Sequence, residues 1–206
     1  DRIQWHEGML LSPQHFQTES SRVDQLIAFH SMGRHCDAWG IKALEIDSAM
    51  LAGGKFRIMT LEAFMPDGTA LKWNAKLESS SLEINLEDLS DNVKNSETID
   101  IYIGLPMGTR KNKEGNFRFE EKVSDPVVDD FQDGEPIDIP RLTYNLRIFV
   151  NERPPGSYSS FKLCVLKNLD GVIKVGDYVP PLIDIGVSKF LKEELKHLSE
   201  ELRSKA

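Results

Sequence analysis

Phe56-Arg-Ile-Met-Thr-Leu-Glu-Ala-Phe-Met-Pro-Asp-Gly-Thr-Ala-Leu-Lys-Trp73 decides the fold class. Phe56, Ile58, Leu61 and Phe64 mark one strand. Pro66-Asp67-Gly68-Thr69 then has the chemistry of a tight turn, since proline presets one dihedral and glycine permits another. Leu71 and Trp73 carry the returning strand. Upstream, Ile41, Leu44 and Ile46 mark a strand that reaches this one through a turn at Gly53-Gly54. Downstream, strands are expected over Ile99–Leu105, Asn116–Val123, Ile137–Val150, Ser159–Leu169 and Val172–Tyr178. Asp170-Gly171 is a two-residue hairpin signal between the last two. Many short strands punctuated by turns predict a mainly β chain, an antiparallel β-sandwich.

Helices are expected at both ends. Ser12-Pro13 is a helix start, because the hydroxyl can cap an orphan amide and proline at the first position loses no bond. Phe16, Val23, Leu26, Ile27 and His30 recur at helical spacing, and Gly33 is the stop. Pro180-Pro181 ends the β region, and a second helix opens near Val187. Its Leu191, Leu195, Leu198 and Leu202 stand four, three and four apart, a heptad seam that needs a helical partner. The expected division is 1–36 for an arm and helix, 37–182 for the sandwich and 183–206 for the start of a helical neck. Ser79–Ser96 and Asp125–Glu135 read as loops or edges.

Composition bounds the function. The hydrophobic fraction of 40% and charged fraction of 28% are those of a folded domain. Lys and Arg total 25 against 33 Asp and Glu, a net charge of −8 that repels nucleic acid and anionic lipid. No stretch is long and apolar enough for membrane insertion. Cys36 and Cys164 read as buried reduced thiols.

No active-site or metal pattern stands up. His6, His15, His30, His35 and Cys36 lack a clean pair of zinc ligand spacings, and Asp129, Asp130 and Asp133 do not alternate as a calcium loop requires. The cations of 109–115 read as an exposed hairpin tip. Nucleotide-binding glycine motifs and a nucleophile elbow are absent. Trp5, Trp39 and Trp73 could stack on sugars but read as core. The expectation is no enzyme, no metal and no cofactor.

Trp5-His-Glu-Gly-Met-Leu-Leu-Ser-Pro-Gln-His-Phe-Gln17 resembles the N-terminal signature of the TssK family of type VI secretion baseplate proteins. The likeness continues through Trp39-Gly40, Met65–Thr69, Leu142–Leu146 and Tyr178-Val-Pro-Pro-Leu182 in the family's order. Met9, where an aromatic is common, and the long acidic loop near Asp129 depart from it. The resemblance implies a bacterial, cytoplasmic, trimeric adaptor whose β-sandwich shoulder docks on the wedge proteins TssF and TssG. It implies a further neck segment and a head, outside this chain, that meets the membrane complex of TssJ, TssL and TssM. Trp5, Met9, Leu10 and Phe16 are candidate contacts between arm, neck and neighbouring chains, or else are buried within one protomer. The competing reading is a phage-type receptor-binding protein with a carbohydrate- or protein-binding surface.

Overall fold

The alternation at Phe56–Trp73 becomes two antiparallel strands joined by their turn. The computed structural model describes residues 2–33, 37–78, 80–89, 96–108, 110–129, 131, 134–169 and 172–205. β1 (Gly40–Ile46), β2 (Lys55–Phe64) and β3 (Ala70–Asn74) lie in that order, and β4 (Glu83–Asn85) pairs with the first residues of β2. A second sheet contains β5 (Thr98–Pro106), β8 (Arg147–Val150), β9 (Tyr158–Leu169) and β10 (Val172–Val175), in the order β10-β9-β5-β8. β6 (Phe119–Lys122) and β7 (Arg141–Tyr144) form a hairpin of their own. All of these named strand pairs are antiparallel.

Both large sheets feed one core. Phe56, Ile58 and Leu61 meet Ile99, Ile101, Ile103, Leu163 and Leu166 there, all fully buried. Each such side chain stabilises the fold by about 1.5–3 kcal/mol. Two bulges keep long strands facing this core. Glu45 pairs with Thr60 but Ile46 with Ile58, so Met59 is an extra residue and the inward set of β2 moves from Phe56 and Ile58 to Leu61 and Ala63. On β9, Leu163 is extra in the same way, between the pairs Tyr102↔Lys162 and Ile101↔Cys164. Without an inserted residue, one half of each strand would turn its apolar set to solvent.

The structure departs from the sequence reading at several joints. A short helix, α2 (Ser48–Ala52), stands between β1 and the Gly53-Gly54 turn, because Asp47 accepts bonds from the amides of Ala49 and Met50 at 3.1 Å each. β4 lies inside the run read as loop, too short to carry a period. The strand expected over Ile137–Val150 is two strands, β7 and β8. Asn145 breaks it by donating its amide to Arg118 O and its side chain to Phe117 O, both at 2.9 Å. The strands expected over Asn116–Val123 and Val172–Tyr178 shorten to β6 and β10. Asp170-Gly171 lies outside the described residues, while β9 and β10 on either side pair from Leu169↔Val172.

α1 spans Pro13–Met32 and α3 spans Lys189–Lys205, the latter after a 3-10 turn at Ile185–Val187. The start of α1 is where the Ser-Pro pair puts it, and Ser12 and His15 form a capping box there. The Ser12 amide donates to His15 Nδ1 at 3.0 Å.

Candidate docking surfaces

The arm and α1 stand on the sandwich without being absorbed by it. Trp5 packs its ring 5.9 Å from that of His15, which ties the arm to the first turn of α1. Met9 is half-buried, but Leu10 is 88% exposed and Leu11 and Phe16 are exposed too. Trp5, Leu10 and Phe16 are therefore not buried within this chain. No residue of α1 is fully buried, and Val23, Leu26, Ile27 and Phe29 remain exposed along it. Helices of this kind gain their stability from a covered apolar face, and here much of that face is open.

The seat of α1 is the Pro66–Thr69 turn. Gly68 holds φ +81°, and a β-carbon there would stand 2.7 Å from Ala28 Cβ and 3.1 Å from Met32 Cγ. Glycine thus serves both the left-handed backbone and the close approach of the helix. The turn is clamped from the other side by Arg118, at the entrance of β6. Its guanidinium donates to Pro106 O at 2.9 Å, to Asp67 at 3.1 Å and to Thr69 Oγ1 at 2.5 Å, with its carbon 5.8 Å over the Tyr144 ring. Burial pushes the Asp67 carboxyl up, but bonds from Thr69 and the charge of Arg118 outweigh it and hold the group below the usual range. The Asp67 amide also donates to the buried Ser159 hydroxyl on β9 at 3.2 Å. One turn thereby joins both sheets, the small hairpin and α1. Between α1 and the β6–β7 hairpin it leaves an open groove of ≈ 300 Å³, walled by Ile27, Phe119 and Tyr144.

A second glycine seats the other end. Residues 178–184 run beside β1, where Ile41 donates to Pro181 O at 2.8 Å and Ile183 donates back to Ile41 O at 2.9 Å. Gly40 has φ +138°, and a β-carbon on it would lie 2.7 Å from the Pro181 carbonyl. This strap directs the chain into α3. There Leu191 is half-buried, while Leu195 and Leu198 are exposed and Leu202 reaches 71%. The heptad seam is largely uncovered.

His6 and His15 serve local structure. His15 caps α1, and His6 bonds the neighbouring Glu7 carbonyl at 3.0 Å. His35, Cys36, Asp130 and Asp133 lie outside the described residues. Among the described residues, no three His, Cys, Asp or Glu side chains gather as a metal set, and no helix is long and apolar enough to cross a membrane. Cys164 is a buried free thiol, pushed up to about 12 by its burial. Trp73 is core and Trp39 packs against it, but Trp5 is half exposed, contrary to the core reading. Sequence reasoning missed Arg118 and the contact of Gly40 with Pro181. Only the glycines in Trp39-Gly40 and the Pro-Asp-Gly-Thr turn hinted at close approaches.

The profile of a protein family described as bacterial type VI secretion, VC_A0110, EvfL, ImpJ, VasE matches residues 15–206. The type VI secretion system baseplate component TssK1 of Pseudomonas aeruginosa (strain PAO1) is 28% identical across 96% of this chain and 46% of its own length. The chain thus spans about half the length of that curated relative. A chain in the structure of the TssK-TssF-TssG baseplate subcomplex, from cryo-electron microscopy, superposes with a TM-score of 0.81 at 22% identity, covering 99% of this chain and 69% of that one. The crystal structure of TssK superposes at 0.76 and 17% identity, covering 96% and 46%. At these identities the structural likeness establishes the fold.

Proposed function

The chain belongs to the TssK family of bacterial type VI secretion proteins, described also as ImpJ and VasE, and from that premise we propose that it is the sandwich shoulder of a baseplate adaptor. Its task is to dock on a wedge of TssF and TssG and to hold neighbouring parts at a set angle. It carries out no catalysis and takes no cofactor. Residues 1–36 are the arm and helix, 37–182 the docking body, and 183–206 the start of a neck through which copies assemble, as a trimer in the full-length protein. A head beyond this chain meets the membrane complex of TssJ, TssL and TssM, at the cytoplasmic face of the inner membrane.

One observation carries the reading. The sandwich closes its own core, yet the arm, α1 and α3 leave Leu10, Phe16, Leu195, Leu198 and Leu202 in solvent. Exposed apolar rows of this kind mark surfaces that other polypeptides cover. Trp5, Met9, Leu10 and Phe16 are assigned to contacts with neighbouring chains, and Leu191, Leu195, Leu198 and Leu202 to the neck. The fold shared with a chain of the TssK-TssF-TssG subcomplex supports the choice of partner.

Co-purification tests it. The full-length protein should retain TssF and TssG through a sizing column. Residues 1–182 alone should retain them too, since the body is the docking part. Failure of that fragment, with success of the longer protein, would move the docking part elsewhere.

A further inference from the structure

The β6–β7 hairpin is built inside out. From Phe117 to Asp125 the exposure alternates, odd residues exposed and even residues half-buried. The inward row is Arg118, Glu120, Lys122 and Ser124. Each finds a polar partner. Arg118 clamps the Pro66–Thr69 turn, Ser80 donates to Glu120 at 2.8 Å, Lys122 donates to Glu78 at 2.7 Å, and Ser124 donates to Ile139 O at 3.2 Å. The outward row holds Val123 instead, with Leu142 opposite Glu121 across the hairpin, while Phe119 at its near end stacks on Tyr144 and walls the groove against α1. Val123 is 85% exposed and Leu142 63%. An antiparallel pair resting on a body normally turns its apolar side in and its polar side to water. Here the sides are exchanged.

Charge says what covers the outward side. Both cations of the row face inward, toward Asp67 and Glu78, whereas Glu121 and Asp125 share the outer face with Val123. At the near end, Lys111 Nζ lies 5.1 Å over the Phe117 ring and Phe119 stacks on Tyr144, so the open surface begins beyond Phe119. A second copy of the same strip would set carboxylates against carboxylates. A segment that is apolar and carries Lys or Arg meets both features.

We infer that the outward face of the β6–β7 hairpin, Val123 and Leu142 flanked by Glu121 and Asp125, is a docking strip for a basic, apolar segment of a partner protein. The inference rests on the adaptor reading above and specifies which surface makes the contact. The inward polar clips hold the strip rigid, so the partner finds it already formed.

The test uses the full-length protein with the TssF–TssG subcomplex as probe. Val123→Lys with Leu142→Lys should weaken binding at least tenfold and leave the melting temperature unchanged, both positions being exposed. Glu121→Gln with Asp125→Asn should weaken it several-fold and flatten its dependence on salt. Binding by the parent protein with both variants within twofold of it would overturn the strip and spare the adaptor reading. No binding by the parent protein would overturn both. Self-association of the parent protein that Val123→Lys with Leu142→Lys abolishes would show that the strip takes a second copy, which also overturns the inference.

Discussion

Gly68 and Gly115 share a φ of +81°, but only Gly68 has a neighbour within reach of a β-carbon. Alanine at either position strains the backbone by about 1–2 kcal/mol. At Gly68 it must also push Ala28 away. Gly68→Ala should therefore destabilise the protein by about 1 kcal/mol more than Gly115→Ala in urea unfolding, an overpacking cost. If α1 lifts away to relieve the clash, its amides will lose protection against exchange instead. Equal stability and unchanged exchange would remove Gly68 from its role as a seat. Asp67 makes a second test. Its carboxyl is held below the usual range by Thr69 and Arg118, against the opposing effect of burial. The charged form is thus favoured by folding, and the stabilisation is complete above the unfolded value near 3.9 and is lost as pH falls through the lower folded value. Asp67→Asn should lower stability at pH 7 and shrink the difference between pH 7 and pH 3, read from urea midpoints. An unaltered pH difference would show that the clamp does not feel this charge. Arg118 was invisible in the sequence because nothing local marks a cation that bonds a turn and a carbonyl from other parts of the chain.

Elements with a local signal were legible. The Ser12-Pro13 start fixed α1, and the alternation around β2, β5 and β9 read correctly as strands. The bulges at Met59 and Leu163 were not, since each is defined by what the partner strand does. Asn145 divides β7 from β8 through bonds to Phe117 and Arg118, again contacts that no period displays. The seam of α3 was plain in its leucine spacing, while its openness needed the fold. Covering one such leucine contributes about 1.5–3 kcal/mol, roughly tenfold to a hundredfold in association. Leu195→Asp in the full-length protein should accordingly shift the species seen by light scattering toward the single chain. If mass and melting temperature both stay as they were, the seam does not join copies.

For the whole molecule, a closed sandwich acts as a mount, with α1 seated at Gly68 and the strap to α3 at Gly40. The docking strip and the helices then keep fixed positions on one body. The family was legible through the motifs at the two chain ends, at Trp39-Gly40 and at the turn, two of whose glycines, Gly40 and Gly68, stand where other parts of the chain approach closely. The polarity of the β6–β7 hairpin was not, since an alternating strand looks the same whichever side faces the body. Hydrogen–deuterium exchange of the full-length protein, with and without the TssF–TssG subcomplex, tests the account most directly. The account predicts new protection within residues 2–182, strongest over 117–144, with α3 unchanged. Protection confined to residues beyond 182, with the sandwich exchanging as in the free protein, would contradict it.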